Sequence, residues 1–397
     1  MKRVYITTAL TCLVIMAAFI GIFRILNLTG GKDHVKVGFI YDNDESTPYT
    51  YNFSLAKDAL EKEFGNKVEI FTISNAMDDE IDEPIREMAD KGCDIIFFNG
   101  YSELVMQLAP EYPNIQFCQT SYMDMSKVTV PANYHTFKGE AYQSRYVSGI
   151  AAGFKIQQMI SEGLITEDQA LVGFVAAYPT SEVISGYTAF LLGVRSVVPK
   201  ALLRVSYTHT WSSYAHERSA AQRLINDGCV IISQHTDTIG PAIACEESTG
   251  DLPVYFVGYN QSMSEVAPAT SLVTSRICWE PYVLSAVKAV LLEKSIESVV
   301  VGNIHGNDVS AGFDYGWVEM EDLNLQVAAP GTQEAMTSAI EQLKKGNIDF
   351  VFKCGYIGVN PEDSSDIIDL HAGYIENKNT SYPTFHYMLL DIITVVE

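Results

Sequence analysis

Short apolar runs alternate with helix-like segments along most of this sequence, on a period of about 30 residues. Strands that are buried on both faces read as such runs, and here each run is followed by a segment with helical spacing. The first series begins at Val35, and its runs are VKVGFIY, KVEIFTIS, CDIIFFNG and IQFCQT. The alternation predicts βαβ units and a parallel sheet that helices cover on both faces.

The same alternation restarts at Ala170, with the runs ALVGFVAAYP, ALLRVSYTHT, CVIISQHTD and PVYFVGYN. Residues 140–160, between the two series, predict a long amphipathic helix that we interpret as the first crossing between two lobes. We therefore expect an α/β protein with two doubly wound parallel-sheet lobes. The expected division is residues 34–136 plus about 278–320 for lobe 1, and residues 137–277 plus about 321–397 for lobe 2.

An uncharged run from Val4 to Phe23 follows two basic residues at the N-terminus. About 20 apolar residues in a helix span about 30 Å of hydrocarbon, and basic residues before the run favour an inside N-terminus. We expect residues 1–33 to hold an N-terminal transmembrane helix that anchors the chain in the cell membrane, with the binding domain outside. Two alternatives stay open: a cleaved signal peptide and a lipid-modified Cys12.

The charge balance and the absent motifs exclude several classes of function. The chain has 49 acidic and 26 basic residues, a formal net charge of −23, whereas a nucleic-acid or anionic-lipid surface needs clustered Lys and Arg. Its eight His and seven Cys residues show no metal-site or thioredoxin-type spacing. Dinucleotide, P-loop and GxSxG motifs are also absent from the sequence. We therefore expect no nucleic-acid partner, no cofactor, no metal and no enzymatic activity.

Aromatic residues recur where the predicted strands end. Ligands of parallel sheets bind beyond the carboxyl ends of the strands, at the point where the strand order reverses. The aromatic residues at or near these ends are Tyr49, Tyr51, Tyr101, Tyr122, Tyr178, Trp211, Tyr259 and Trp279. Any one of them can be a packing residue, but their shared edge favours a planar ligand stacked between aromatic faces.

Polar residues at the same strand ends are candidates for hydrogen bonds to such a ligand. The run VIISQHTDT leads from an apolar strand directly into Gln234, His235 and Asp237. Glu182 follows another strand, but neither a nucleophile nor a metal site accompanies it to make it a general base. We expect Asp237 to be the principal polar contact, with Glu182, His235 and Asn260 as further ligand-binding candidates.

Several blocks of the sequence resemble the basic membrane protein family, the purine or nucleoside substrate-binding proteins of ABC importers. These blocks are GFVAAYPTSEVISGYTAFLLGVRSVVP, DGCVIISQHTDTIGPAIACEE, VYFVGYNQSMSEVAP and LVTSRICWEPYVLSAVKAVL, and they occur in the family's order. The resemblance implies a type I periplasmic-binding-protein-like fold whose two lobes close on a purine base or nucleoside. It also implies an ABC permease and its ATPase subunits as partners.

The resemblance also implies roles for individual residues. Tyr49 and Tyr51 stand where the family carries a stacking Trp and Tyr, and Trp211 matches the Trp of a Ser-Trp pair. Asp237 would accept hydrogen bonds from ribose hydroxyls or a base amine. Asn260 would bond polar edges of the ligand.

Three departures from the family's pattern leave the base preference open. Tyr49 replaces a Trp, and Asn52, Phe53 and Ser54 replace Ala-His-Glu. Trp279 lies in a block that usually reads Trp-Asn-Trp-Gly-Pro-Tyr, whereas this chain reads CWEPY. Two other interpretations stay open: a membrane-tethered sensor ectodomain, which the poor match to a lipoprotein signal around Cys12 motivates, and a nucleoside-processing enzyme.

Overall fold

The structure is a computed structural model that describes residues 31–76, 78–321 and 323–396. The apolar segment that we expect to anchor the chain, residues 1–28, lies outside the described residues. Within the described ranges, no helix combines the length and the apolar composition that a membrane crossing requires.

Seven strands form the first sheet: β1 (Val35–Ile40), β2 (Val68–Ile73), β3 (Ile95–Phe98), β4 (Gln116–Thr120), β5 (Tyr134–Gly139), β11 (Asn303–His305) and β12 (Asp308–Ala311). Their order is β11-β12-β5-β4-β3-β1-β2, and all neighbours are parallel except β11 and β12. Helices α1 (Pro48–Phe64) and α8 (Glu280–Leu291) pack on one face, and α2 (Asp82–Asp90) and α3 (Glu103–Leu108) pack on the other. We call this sheet with its four helices lobe 1.

The second sheet also has seven strands: β6 (Leu171–Ala176), β7 (Leu202–Tyr207), β8 (Ile231–His235), β9 (Tyr255–Tyr259), β10 (Ser271–Ile277), β13 (Val318–Glu321) and β16 (Ile393–Val396). Their order is β13-β10-β9-β8-β6-β7-β16, and only β13 is antiparallel to its neighbour. Helices α4 (Ala141–Ser161), α5 (Ser181–Arg195) and α9 (Thr332–Lys344) contribute to the core on one face. Helices α6 (Tyr214–Asn226) and α7 (Gly240–Glu246) contribute to the other, and we call this assembly lobe 2. Two parallel α/β lobes are thus confirmed.

Helix α4 is not the amphipathic helix that its sequence predicts, because it is buried on every side from residue 141 to residue 153. Helix α5 packs very closely against it, and glycines make the approach geometrically feasible. A Cβ atom on Gly193 would lie well under 3.0 Å from the carbonyl oxygen of Tyr146, and one on Gly149 would meet the carbonyl of Phe190. The two helix backbones therefore touch where each glycine faces its partner.

The chain crosses between the lobes three times: from β5 to α4, from β10 to α8, and from β12 to β13. Backbone hydrogen bonds connect these crossings, with Glu140 N donating to Ala311 O at 2.8 Å and Cys278 N to Trp317 O at 2.8 Å. A rotation of one lobe against the other must bend all three together. The carboxyl ends of β5 and β10 lead into this hinge.

The C-terminal part of the chain, for which the sequence offered no elements, adds α9, an antiparallel hairpin and an edge strand to lobe 2. The hairpin consists of β14 (Ile357–Asn360) and β15 (Asp363–Asp369). After an irregular segment, β16 pairs in parallel with β7. Strand β16 is therefore an edge strand of the second sheet.

We expect Gly193→Ala to lower the free energy of unfolding by about 2 kcal/mol, because overpacking a closed interface costs about 1–3 kcal/mol. Helix propensity alone predicts the opposite sign, since alanine is favoured over glycine by about 1 kcal/mol within a helix. Gly250→Ala is the control, because the nearest atom to its added methyl group would be 3.9 Å away. Chemical denaturation of both variants measures the difference, and equal stabilities would contradict the close packing of α4 and α5.

Candidate functional site

Loops at the carboxyl ends of both sheets meet in a cleft between the lobes. Tyr101 follows β3 and Trp211 follows β7, and their ring centroids lie 6.2 Å apart at an interplanar angle of 35°. Tyr178, beyond β6, packs against Trp211 with a centroid distance of 5.6 Å. Tyr122, beyond β4, lies 6.4 Å from Tyr101. These four rings form a cluster that spans the cleft, so that the lobes are in contact in this structure.

Tyr49 lies at the edge of the same cleft, in the first turn of α1. Its hydroxyl donates to the backbone carbonyl of Asn99 at 3.0 Å. Burial raises the pKa of Tyr49 well above its usual value, and the charges of Asp42, Glu182 and Asp237 add to this shift. One tyrosine from lobe 1 is thus surrounded by carboxylates from both lobes.

An ion pair joins the lobes at the floor of the cleft. Lys138 Nζ, near the end of β5, lies 2.7 Å from Glu182 Oε2 in the first turn of α5, and both side chains are buried. The ammonium group also donates to the carbonyl of Ser121 at 3.0 Å. Glu182 in turn lies 3.5 Å from the hydroxyl of Tyr101. The pair therefore links the sheet of lobe 1 directly to a helix of lobe 2.

A buried cation lies below the cleft in lobe 2. Arg145 Nη2 donates to the carbonyl of Gln234 at 2.8 Å, and the guanidinium group lies 3.5 Å from the ring centroid of Tyr259. Burial lowers the pKa of Arg145 to about 10. Burial also holds the pKa of His235 well below its usual value, with further lowering by Arg145 and Lys138, so His235 is neutral at physiological pH.

Two carboxylates in the cleft have no cationic partner among the described residues. Asp42 accepts hydrogen bonds from Asn43 N at 2.8 Å and Thr50 Oγ1 at 3.3 Å. The backbone amide of Asp237 donates to Trp211 O, but its carboxylate accepts no hydrogen bond from the residues that the structure describes. Burial raises the pKa of both groups, and Asp42 adds to the shift of Asp237 across the cleft. Such carboxylates are suited to a ligand that donates hydrogen bonds.

Three of the predicted site residues lie away from the aromatic cluster. Tyr51 is 40% exposed and lines a separate surface depression of about 290 Å³. Trp279 is buried in the core of lobe 1, where its ring lies 5.2 Å from that of Phe53. Asn260 is buried at the lobe boundary, and its Oδ1 accepts from Asn52 Nδ2 at 3.4 Å. The cleft brings together the other candidates, which are Tyr49, Tyr101, Tyr178, Glu182, Trp211, His235 and Asp237.

Sequence reasoning missed three charged residues of the site: Asp42, Lys138 and Arg145. No sequence signal marked the two cations. Strand β5, which carries Lys138, is not among the predicted strands, and the helix predicted over residues 140–160 is amphipathic, so a charge such as Arg145 is expected on its exposed face. A charged side chain is almost never fully buried unless it has a partner, so both residues became recognisable only from their burial in the structure.

The arrangement is suited to reversible binding of a small molecule. It offers aromatic faces, two unpaired carboxylates and neutral His235, within a cleft that the hinge can open. Among the described residues, no cluster of His, Cys, Asp and Glu has the geometry of a metal site.

Comparison with known proteins agrees with this architecture. A family model described as ABC transporter substrate-binding protein, PnrA-like, matches residues 35–327. A purine-binding protein of Brucella abortus (strain 2308) is 29% identical over 273 residues, which cover 66% of this chain and 72% of that protein. A putative ABC transporter glucose-binding protein of Haloferax volcanii is 29% identical over 198 residues, which cover 49% of this chain and 46% of that protein.

Solved structures show the same fold at low sequence identity. A solute-binding protein from Conexibacter woesei superimposes with a TM-score of 0.59 at 17% identity, covering 79% of this chain and 97% of that one. A solute-binding protein from Aeropyrum pernix K1 gives a TM-score of 0.59 at 15% identity, covering 83% and 95%. Because the family model spans most of the chain, this protein belongs to the PnrA-like family of ABC transporter substrate-binding proteins.

Proposed function

We propose that this protein captures a purine base or nucleoside outside the cytoplasm, between its two lobes, and delivers it to an ABC permease with its ATPase subunits. The observation that carries the proposal is the convergence of aromatic rings and two unpaired carboxylates, from both lobes, in one cleft. The family and the purine-binding relative from Brucella abortus support the ligand class.

The aromatic cluster takes a flat ring only after its members move apart. The ring centroids of Tyr101 and Trp211 are 6.2 Å apart and the rings are tilted by 35°, whereas a base stacked between two parallel rings needs about 7 Å, or about 3.4 Å to each neighbour. A small opening of the hinge therefore admits a purine. Each base–aromatic contact contributes about 1–3 kcal/mol to binding.

The charges in the cleft favour a nucleoside over a nucleotide. Asp42 and Asp237 accept hydrogen bonds from ribose hydroxyls or an exocyclic amine, whereas a phosphate group would be repelled. The two nearby cations do not compensate, because Lys138 is paired with Glu182 and Arg145 is buried beneath Tyr259. We expect monophosphates to bind at least about 100-fold more weakly than their nucleosides, since like-charge contacts cost several kcal/mol.

The ligand class is tested by calorimetry and thermal shift with a panel of purine bases, nucleosides, nucleoside monophosphates, pyrimidine nucleosides, ribose and glucose. The expected result is stabilisation by a purine base or nucleoside and none by its monophosphate. A response to glucose but to no purine would overturn the proposed ligand. Uptake of the radiolabelled nucleoside by cells with and without the gene tests the transport role, and equal uptake would count against it.

We expect Asp237→Asn to weaken nucleoside binding by tenfold or more while stabilising the empty protein. Folding raises the pKa of Asp237, so the folded state favours the protonated carboxyl group. Above the pKa of the unfolded chain, keeping this group ionised in the folded state therefore lowers the free energy of unfolding. Asparagine cannot ionise and removes this penalty. The melting temperature of the empty variant should exceed that of the wild type by about 2 °C at pH 8, and the difference should shrink towards pH 5.

Asp251→Asn is the control for this experiment, because Asp251 is exposed on a loop outside the cleft. Its binding affinity and melting temperature should match those of the wild type. An Asp237→Asn variant that binds the nucleoside normally would show that Asp237 only shapes the loop after β8.

A further inference from the structure

A short segment near the C-terminus, residues 376–385, lies across the boundary between the lobes. We call it the strap. It lies beyond residue 327, where the match to the family ends. The strap bonds to the buried carboxylate of Asp308 in lobe 1, and its own buried carboxylate, that of Glu376, bonds to lobe 2. These contacts place it next to the ion pair at the floor of the cleft.

The strap is attached to lobe 1 at Asp308, the buried first residue of β12. Asp308 Oδ2 accepts hydrogen bonds from Thr380 Oγ1 at 2.9 Å and from Ser381 N at 2.7 Å. Its Oδ1 accepts from Thr136 Oγ1 at 2.7 Å and Ser121 Oγ at 3.2 Å within lobe 1. Hydrogen bonds to a carboxylate are about twice as strong as neutral ones. The attachment is polar throughout and involves few side chains.

The strap is attached to lobe 2 through Glu376 and Phe385. Glu376 Oε2 accepts from Ser185 Oγ of α5 at 2.7 Å, and the same carboxylate accepts from Phe385 N at 3.1 Å. The ring of Phe385 is fully buried and stacks on Phe352 at 4.6 Å in the core of lobe 2. Ser181 Oγ of α5 adds a bond to the carbonyl of Pro383 at 2.7 Å. The strap is thus held more firmly by lobe 2 than by lobe 1.

The two attachments are very close in sequence. Ser381 binds lobe 1 and Pro383 binds lobe 2, and two residues of chain span at most about 7 Å. The lobes therefore separate at this point only if one attachment breaks. The bonds to Asp308 break first, because the other attachment includes a buried aromatic ring and leads directly into the sheet of lobe 2.

Tyr382, between the two attachments, forms part of the wall of the cleft. Its ring centroid lies 5.6 Å from Lys138 Nζ, on the ion pair that joins the lobes. Burial, followed by the charge of Glu182, raises the pKa of Tyr382 to about 12. Release of the strap from Asp308 thus uncovers the Lys138–Glu182 pair as the cleft opens.

We propose that the strap latches onto Asp308 when the lobes close and so fixes the closed, empty arrangement around Lys138 and Glu182. A flat ring enters between Tyr101 and Trp211 only after these rings move apart, so a latch that favours the closed empty state lowers the apparent affinity for ligand. Only the identity of the ligand rests on the proposed function. The latch itself concerns the empty protein.

The test replaces the hydroxyl that binds Asp308, with the variant Thr380→Val. Thr380 Oγ1 also accepts from Met125 N in lobe 1, so the substitution removes two contacts between strap and lobe 1. Thr380→Ser retains the hydroxyl and should restore them. Thr337→Val is the matched control, because that exposed hydroxyl bonds only within α9, to Gln333 at 2.8 Å.

Three measurements are made on the full chain. Small-angle scattering and acrylamide quenching of Trp211, the half-buried cleft tryptophan, report opening of the empty protein. Calorimetry with guanosine reports affinity. For Thr380→Val we expect a larger radius of gyration, stronger quenching and about tenfold tighter guanosine binding, because less of the empty protein is held in the state that excludes a base. Thr380→Ser and Thr337→Val should match the wild type in all three.

Wild-type scattering and quenching in the empty Thr380→Val variant would overturn the latch, whatever ligand binds. Failure of guanosine to bind any of the proteins would instead count against the proposed ligand, while the two measurements on the empty protein still decide on the latch. If Thr380→Val does not fold, Thr380→Ala, which removes the same hydroxyl without placing a methyl group beside Asp308, is measured in the same way. Unchanged opening and affinity in that variant would also contradict the proposal.

Discussion

The ion pair between Lys138 and Glu182 connects the lobes at the point where the hinge, the aromatic cluster and the strap meet. Removing two charges from water costs several kcal/mol for each ion, and the attraction between them recovers this only when the geometry is good. Opening the cleft breaks the pair but returns both groups to water, so the net cost of opening is far smaller than the attraction alone suggests. The pair therefore does more to define how the lobes fit together than to hold them closed. It is satisfied in one relative placement of β5 and α5, with Tyr101 close enough to join it.

Charges on the two sides of the cleft act against this fit. The raised pKa values of Asp42 and Asp237 reflect the burial of both groups, and Asp42 adds to the shift of Asp237 across the cleft. In the proposed function, a ligand that donates hydrogen bonds removes this penalty, whereas an anionic ligand increases it. Closure would thereby be coupled to the chemistry of the ligand, with the aromatic rings supplying contact area and the carboxylates discriminating among flat molecules.

The sequence was sufficient for strands β1–β4 and β6–β9 and for most of the helices, because buried parallel strands leave continuous apolar runs that are separated by turn residues. It missed β5 and β10, which lead into the crossings between the lobes, and every strand after residue 277. It was insufficient where burial comes from distant parts of the chain. Helices α5 and α9 cover the face of α4 that the sequence predicts to be exposed. Trp279 lies at a strand end, as Trp211 does, but it is buried in the core of lobe 1. The strap has no periodic pattern, and its partner Asp308 belongs to a different lobe. Such contacts depend on how two lobes are placed relative to each other, which local periodicity does not encode.

Because the strap lies outside the family-matched region, the candidate ligand contacts and this contact between the lobes come from different parts of the chain. The candidate ligand contacts lie at strand ends within residues 35–327, and the crossings that form the hinge lie there too. The strap adds an interlobe contact from the C-terminal part of the chain, beside the cleft, and that contact has no carboxylate exposed to the ligand. Under the proposed latch, substitutions at Thr380 shift the balance of open and closed states without altering the aromatic rings and carboxylates at the strand ends. Affinity for the ligand would then depend on the strap, whereas the choice of ligand would depend on the cleft.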